Sequence, residues 1–413
     1  MPLLDRAYCE ALDREDPLTF ARARFELPDG VVYLDGNSLG ALPKATAARL
    51  DTVIRQQWGR DLITGWNKHG WVDLPRKLGA KLAKLIGAEA DEVVVCDSTS
   101  LNVFKLLSAA LALQSGRQVI LSDTGNFPTD LYMAQGLADL LDRDHRLELV
   151  APEAVLDRIG PDVAVVMLTE IDYRTGRRHD MAAINSKAKA AGVLTLWDLA
   201  HSAGALPVDL NGTGADFAIG CGYKYLNGGP GAPAFLFVAR RWLNETRQPL
   251  FGWFGHAAPF AFKTAYQPKV GIDRFLVGTP PVLSMAALEC GLETFEGIDL
   301  AAIRHKSLAL GDLMIQLVAQ ECAGAGLTLA SPAHGPQRGS QVSYSHDSGY
   351  AVMQALIARG VIGDFRAPNL MRFGFTPLYV RYQDIWNAVA VLKTVLTRAE
   401  WQRPEFNQRA AVT

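Results

Sequence analysis

The 413-residue sequence has few of the features that mark specialised protein classes. Its five cysteines are scattered and form no CxxC pair, which argues against a zinc site or a disulfide framework and favours the reduced thiols of a cytoplasmic protein. The eight histidines show no HExxH or comparable ligand spacing, so no metal is indicated.

Strong net charge and long apolar runs are also missing. The formal net charge of −2 gives no reason to propose nucleic acid or an anionic membrane as a partner. No apolar run approaches the roughly 20 residues of a membrane helix, and the N-terminal MPLLDRAYCEALDRED has no signal-peptide core. With 49% hydrophobic and 20% charged residues, the chain has the composition of an ordinary globular protein of two or three domains.

What is present is a series of short apolar runs between residues 90 and 240, separated by helical patterns. They are rich in Val, Leu and Ile and do not alternate with polar residues: EVVVCD, RQVILSD, LELVAP, DVAVVMLTE, GVLTLWD, DFAIGC and AFLFVA. Strands covered on both faces by crossover helices have this pattern, so we predict an α/β fold with a mostly parallel sheet.

The composition changes after about residue 285. A long amphipathic stretch, the strand candidates LTLAS, SQVSYSH and LMRFGFT, and a final helical run predict a smaller α+β domain. We expect an extended N-terminal segment over residues 1–45 that packs on the small domain and the site, a large domain over 46–285, and a small C-terminal domain over 286–413.

Two residues at strand ends suggest a particular chemistry. The run GVLTLWD ends on Asp198, and Lys224 follows 26 residues later (224 − 198) in a glycine-rich loop after DFAIGC. Ligands of open α/β sheets bind at the carboxyl ends of strands. Pyridoxal phosphate (PLP) needs a lysine that forms a Schiff base with its aldehyde and a carboxylate that keeps its pyridine nitrogen protonated. Such an Asp is often only a helix cap and a loop Lys is usually solvated, but together they predict a PLP site.

Two further segments could serve such a site. Ser98, Thr99 and Ser100 stand where a strand gives way to a helix, which suits a phosphate, although a plain helix cap fits as well. In GNFPTD, Phe127 offers a flat surface for a ring and Asp130 follows closely, although a buried Phe is more often core.

Three more residues have two readings each. Trp253, in the glycine-rich GWFGH, suits the rim of a site, and Trp66 is a similar case with weaker support. Arg372 lies in a largely apolar strand and needs a partner, because an unpaired buried guanidinium is costly. A substrate carboxylate or a structural Asp or Glu would serve equally well.

In these motifs the chain resembles kynureninase, in its bacterial form, a PLP-dependent fold-type-I family of the class V aminotransferase-like group. The likeness covers nearly the whole length and rests on YLDGNSLG, NFPTD, WDLAHSAGA, YKYLNGGPG, GWFGH, GTPP, HKSLAL and MRFGFTPLY. It implies PLP as cofactor and hydrolysis of L-kynurenine to anthranilate and L-alanine, in the kynurenine pathway of tryptophan catabolism and NAD biosynthesis. It also implies a cytoplasmic homodimer with sites at the interface.

The resemblance further implies residue roles. Lys224 would hold PLP and move a proton, Asp198 would pair with the ring nitrogen, and Tyr223 would serve the substrate ketone. Other cofactor contacts are implied for Thr99, Ser100, Phe127, Pro128, Thr129, Asp130, Thr169, His201, Trp253 and Thr279, of which Trp253 and Thr279 would come from the neighbouring subunit. Arg372 would bind the substrate carboxylate, and Ser38 and Trp66 would line the aryl pocket. Some relatives carry His and Asn at the positions of Trp66 and Thr279, so these two residues favour kynurenine over its 3-hydroxy form.

Two alternatives stay open. One is another PLP enzyme on the same scaffold, such as an aminotransferase or a cysteine desulfurase, although Cys290 and Cys322 lie in helical runs that suit a mobile catalytic thiol poorly. The other is a non-catalytic sensor, a class that usually carries a DNA-binding module; no basic helix-turn-helix candidate precedes residue 40 or follows residue 385.

Overall fold

The structure, a computed structural model, describes residues 4–141 and 144–409. The ends of the first and last predicted regions, residues 1–3 and 410–413, lie outside the described residues. In chain order the strands are β1 (Phe25–Glu26), β2 (Val32–Tyr33), β3 (Leu42–Pro43), β4 (Val93–Val95), β5 (Val119–Asp123), β6 (Arg146–Val150), β7 (Val163–Thr169), β8 (Leu194–Asp198), β9 (Phe217–Cys221), β10 (Ala234–Val238), β11 (Thr328–Leu329), β12 (Gln341–Ser345), β13 (Val361–Ile362), β14 (Asp364–Arg366) and β15 (Leu370–Gly374).

The helices lie between these strands and at both ends of the chain. They are α1 (Arg6–Glu15), α2 (Ala45–Asp51), α3 (Gly65–Lys68), α4 (Leu74–Ala83), α5 (Thr99–Leu113), α6 (Pro128–Leu141), α7 (Val155–Arg158), α8 (Met181–Ala191), α9 (Leu210–Thr213), α10 (Val282–Glu293), α11 (Leu300–Glu321), α12 (Gly349–Ala358) and α13 (Tyr382–Thr397). In the described part of the chain, none of them is both long enough and apolar enough to span a membrane.

Seven of the described strands form one sheet in the order β4-β10-β9-β8-β7-β5-β6. β10 runs antiparallel to both of its neighbours, and the other pairings are parallel. Every residue of β5, β7, β8, β9 and β10 is buried, as the unbroken apolar runs predict. The predicted α/β fold with a mostly parallel sheet is confirmed. Because β4, β5, β7, β8 and β9 run in one direction, their carboxyl ends meet at one edge, and this edge carries the site.

The C-terminal part builds a second, antiparallel sheet in the order β11-β12-β15-β14. Three of its strands coincide with the predicted candidates, whereas the three-residue β14 was not predicted. Helices α11 and α13 pack against each other beside this sheet. The arrangement is α+β, as expected, and the domain limits themselves stay a prediction.

The expectation that residues 1–45 are extended is wrong for α1 and for the 3₁₀ helix Thr19–Arg24. Helix α1 begins at the cap Asp5, whose side chain accepts the N–H of Tyr8 at 2.8 Å. The carboxylate of Asp13 accepts the backbone N–H groups of Tyr382 and Gln383 at 2.7 and 3.0 Å, at the start of α13. The helix is therefore supported by a contact between the two ends of the chain, which no local pattern reveals.

Candidate active site

Lys224 lies just beyond β9, at the carboxyl edge of the large sheet. Its Nζ is 3.0 Å from Nε2 of His201, 5.8 Å from the ring centroid of Phe127 and 5.7 Å from that of Tyr223. The N-terminal segment reaches the same loop: the N–H of Gly40 donates to the Tyr223 carbonyl at 2.8 Å, and a Cβ at Gly40 would lie 2.4 Å from the carbonyl oxygen of Lys224. Only glycine allows this approach, which sequence reasoning missed although the motif DGNSLG was recognised.

Two buried carboxyl groups lie close to the lysine. Asp198, the last residue of β8, is 6% exposed, and Asp130, in the first turn of α6, is 2% exposed. Burial raises the pKa of both; the charge of Asp198 raises the pKa of Asp130 further, whereas the Lys224 ammonium and a hydrogen bond from the N–H of Ala200 lower that of Asp198. The pKa of Asp130 is raised further than that of Asp198, so Asp130 is the member of the pair that keeps a proton more readily, and Asp198 is the member that ionises first.

His201 lies in a series of turns after β8 and is 4% exposed. Burial, followed by the positive charges of Lys224 and Arg372, lowers the pKa of His201 well below its ordinary value. The imidazole is therefore neutral. Because an ammonium group has no acceptor, Lys224 donates the 3.0 Å hydrogen bond to His201 Nε2.

Phe127 keeps part of its ring open, with 38% of the residue exposed. Its ring packs edge-on against Tyr173, with centroids 5.2 Å apart at 87°. The side chain of Asn126 accepts the N–H of Phe127 at 2.7 Å and hydrogen-bonds the hydroxyl of Thr169, so this buried Asn orients two predicted site residues. Sequence reasoning missed Asn126, although it precedes Phe127 in the quoted motif. The remaining residues of the predicted segment, Pro128, Thr129 and Asp130, form the first turn of α6.

A cavity of about 710 Å³ opens between the start of α5, the lysine loop and the segment before α10. Its lining includes Asp97, Ser98, Thr99, Tyr223 and Thr279. The Ser98 hydroxyl caps α5 by accepting the N–H of Leu101 at 3.4 Å, and Ser100 is half-buried in the first turn. Burial raises the pKa of Tyr223, so its hydroxyl keeps its proton. Hydroxyl groups around a helix start suit a phosphate.

Arg372 and Ser38 lie next to each other, and both bind the carboxylate of Asp364. Arg372, 1% exposed on β15, stands opposite Asp364 on β14 and binds its carboxylate through Nε and Nη2. Its Nη2 also donates to the Ser38 hydroxyl at 2.9 Å, and Nη1 donates to the carbonyl of Tyr173. Although burial raises the pKa of Asp364, the hydrogen bond and charge of Arg372 hold it below its ordinary value. Of the two partners considered for Arg372, the structure contains the acidic side chain, and the short β14 that carries it left no clear sequence signal.

Trp66 and Trp253 occupy a separate aromatic cluster. Trp66 packs edge-on against Trp71 at 5.6 Å and lies 6.2 Å from Phe254, which in turn contacts Trp253 at 4.6 Å. Trp253 is 41% exposed. In the described residues of one chain, neither tryptophan makes a ring contact with Lys224. The predicted roles of Trp66 and Trp253 stay predictions.

Comparison of the sequence with known proteins identifies one family. Residues 303–392 match a family model described as the kynureninase C-terminal domain. The chain is 56% identical over 408 residues to the kynureninase of Burkholderia mallei (strain SAVP1), covering 98% of each chain. It is 54% identical over 410 residues to that of Pseudomonas fluorescens, covering 98% of this chain and 99% of the other. The chain belongs to the kynureninase family.

Two solved structures share the fold of this chain at low sequence identity. The apo cysteine desulfurase of Thermococcus onnurineus NA1 has a TM-score of 0.77 at 19% identity, covering 92% of this chain and 98% of the other. A mutant of C-DES with glycine covalently linked to its PLP cofactor has a TM-score of 0.75 at 18% identity, covering 95% and 99%. This kynureninase-family chain therefore has the predicted PLP-dependent fold type I.

The residues around Lys224 fit the PLP expected of a kynureninase. The carboxylate of Asp198 brings a buried negative charge, and Oδ2 of Asp130 is buried without a hydrogen-bond partner among the described residues. A protonated ring nitrogen would donate a hydrogen bond to this buried pair and balance the negative charge of Asp198. The open face of Phe127 can stack on a ring, and the hydroxyl-lined cavity offers room for a phosphate.

Proposed function

We propose that the pocket around Lys224 is the active site in which this protein, as a PLP-dependent kynureninase-family hydrolase, converts L-kynurenine and water to anthranilate and L-alanine. One observation carries the assignment of the site. The Lys224 amine lies 3.0 Å from a neutral histidine and beside the buried Asp198–Asp130 pair, at the carboxyl edge of the sheet. A lysine and an acid in this arrangement are what PLP chemistry needs.

In this proposal six residues hold the cofactor. Lys224 would attach it covalently, Asp198 would pair with its ring nitrogen, and Phe127 would cover one ring face. Thr99, Tyr223 and Thr279 line the cavity that would take the phosphate. When bound, PLP supplies an electron sink for bond cleavage at the substrate's carbon chain.

The proton steps are assigned to the chain's own residues. The Lys224 amine takes up and returns protons at the substrate α-carbon, and neutral His201 accepts a hydrogen bond from it and so keeps it oriented. The buried Tyr223 hydroxyl keeps its proton and can donate it toward the ketone oxygen as water adds to that carbonyl. Cleavage of the bond between the β- and γ-carbons then releases anthranilate, and protonation of the remaining three-carbon unit gives alanine.

Substrate binding centres on Arg372. Its guanidinium already donates to Asp364, Ser38 and the Tyr173 carbonyl. A substrate carboxylate would therefore have to replace one of the two neutral partners, the Ser38 hydroxyl or the Tyr173 carbonyl. The charge of Arg372 also acts on His201, which lies beside Lys224, so its guanidinium lies within electrostatic range of the reacting lysine. Ser38 and Trp66 would line the aryl end, and Trp66 together with Thr279 would favour kynurenine over its 3-hydroxy form.

The working unit in this proposal is a homodimer. Large apolar side chains are exposed on two segments, including Ile63 at 77%, Phe262 at 79% and Val270 at 80%. The ring contact between Trp66 and Phe254 brings the two segments next to each other. A second copy of the chain would cover these exposed side chains and would bring Trp253 to the neighbouring site. Thr279, for which the resemblance implies the same cross-subunit role, lines the cavity of its own chain.

Cytoplasmic location and a role in tryptophan catabolism and NAD biosynthesis belong to the same proposal. All five cysteines are free and buried, which suits a reducing compartment. The same burial weakens the cysteine desulfurase alternative, because it raises the pKa of Cys322 to about 11 and also raises that of Cys290. A thiol that must attack a substrate needs access and a readily formed thiolate.

The direct test is the release of fluorescent anthranilate from L-kynurenine. We expect turnover by the wild-type chain with added PLP and none above background by Lys224→Ala. Lys187→Ala, which removes an exposed lysine on α8, is the matched control and should keep full activity. Transamination of L-kynurenine without anthranilate would point to the aminotransferase alternative, and binding without any product would point to the sensor.

A further inference from the structure

Lys105 is a fully buried lysine that the proposed mechanism does not use. It lies in the second turn of α5, its side chain is 0% exposed, and its ammonium forms an ion pair with Asp97. Nζ also donates to the carbonyl oxygen of Phe275 at 2.6 Å. A charge is rarely buried this deeply unless it balances another charge.

The partner of this lysine faces the cavity assigned to the phosphate. Asp97 connects β4 to the helix cap Ser98, with a left-handed φ of +49° that non-glycine residues seldom adopt. Its side chain is 22% exposed and lines the same cavity as Thr99 and Thr279. An uncompensated carboxylate there would repel a phosphate dianion.

The second contact of Lys105 reaches the segment that leads into another wall of the cavity. Phe275 ends the 3₁₀ helix Ile272–Phe275, four residues before Thr279. One ammonium group therefore links the loop before α5 to the segment that carries Thr279.

We propose that Lys105 is a positioning residue for the cofactor phosphate: it neutralises Asp97 on the cavity wall and holds that loop against the Thr279 segment. The inference rests on the proposed function, because it assumes that this cavity takes the phosphate of PLP. If the proposal is right, phosphate affinity depends on the net charge of the Lys105–Asp97 pair, and a neutral pair without the two charges should serve as well as the ion pair.

The test compares the dissociation constants of PLP and of pyridoxal, which lacks the phosphate, for the full-length chain. In Lys105→Met we expect PLP to bind about tenfold more weakly or worse, the scale of one uncompensated charge on the cavity wall. Pyridoxal should change much less. Asp97→Asn removes the negative charge and leaves the positive one, so the effect on PLP affinity should be opposite. The preference for PLP over pyridoxal should rise above that of the wild type. The double variant K105M/D97N, which restores neutrality, should regain the wild-type preference, and Lys187→Met serves as the surface control.

Each outcome decides a different point. If Lys105→Met binds PLP and pyridoxal more weakly by the same factor, the substitution has loosened the whole cofactor site and the inference is overturned. A preference for PLP over pyridoxal equal to that of the wild type would overturn it as well. If that variant does not fold, Asp97→Asn decides alone, and an unchanged or lower preference for PLP refutes the proposal. If the wild-type chain does not bind PLP through Lys224 at all, the proposed function fails instead.

Discussion

Replacing Asp35 by Asn should stabilise the protein at neutral and alkaline pH. Asp35 lies in the DGNSLG segment, bridged to Gly374 at the end of β15, and its Oδ1 is buried without a hydrogen-bond partner among the described residues. Burial, followed by the charge of Asp364, raises the pKa of Asp35 from 3.8 to about 7, although Ser38 and Arg372 oppose the rise. The folded protein therefore resists ionisation of this carboxyl group.

The size and sign of the effect follow from that pKa. Below about pH 4 the group is protonated in both the folded and the unfolded chain, so it costs nothing. As the pH rises from 4 to 7 the unfolded chain loses the proton and the folded chain keeps it, so stability falls by about 1.4 kcal/mol per pH unit. Above pH 7 the loss levels off at about 4 kcal/mol, which is an upper limit because the neighbouring acid shares the effect. Asp35→Asn removes this loss.

Urea unfolding of the PLP-saturated wild type and of Asp35→Asn at pH 4, 5.5, 7 and 8 measures this loss of stability. The gain in unfolding free energy of the variant, referred to its value at pH 4, should grow up to pH 7 and then stay constant. Referring to pH 4 cancels any cost of burying the new amide. Asp29→Asn, an exposed carboxylate of the same segment, is the control and should show no trend. A flat difference for Asp35→Asn across this range would refute the argument.

Three further predictions concern the site and the interface. Asp198→Asn should lower kcat for anthranilate release at saturating PLP by at least about a hundredfold, because a neutral amide cannot hold the ring nitrogen protonated; a kcat within a factor of three of wild type would contradict this role. Arg372→Met should raise KM for L-kynurenine more than about tenfold and lower the unfolding free energy by about 3–5 kcal/mol, because Asp364 is left buried and unpaired. An unchanged KM in steady-state assays, with the stability loss present, would mean that Arg372 is purely structural. Phe262→Glu should shift the protein toward the monomer in sedimentation velocity and lower its activity, whereas Leu140→Glu, an exposed apolar residue on α6, should change neither; a monomeric wild type that is fully active would rule out the shared site.

The large sheet could be predicted because its signal is local. Runs such as DVAVVMLTE and GVLTLWD are apolar on both faces, and they became the fully buried β7 and β8. The strand ends then brought Asp198 and Lys224 to one edge, where ligands of such sheets bind. The antiparallel direction of β10 was not predicted, since an unbroken apolar run carries no mark of direction.

What sequence reasoning missed depends on partners far apart in the chain. Helix α1 is supported by α13, which lies more than 350 residues away. Gly40 meets the loop of Lys224, and its role is visible only where the two backbones touch. The ion pair between Arg372 and Asp364 crosses two strands of which one has only three residues. The neutral state of His201 follows from the burial of its side chain, which cannot be read from the sequence.

The most direct test of the central claim is to locate the cofactor on the chain. The PLP-loaded protein is reduced with borohydride, digested and mapped by mass spectrometry. We predict a pyridoxyl phosphate group on the peptide that contains Lys224, with no anthranilate formed afterwards. Stoichiometric labelling at any other lysine, or an active enzyme without label at Lys224, would contradict the account.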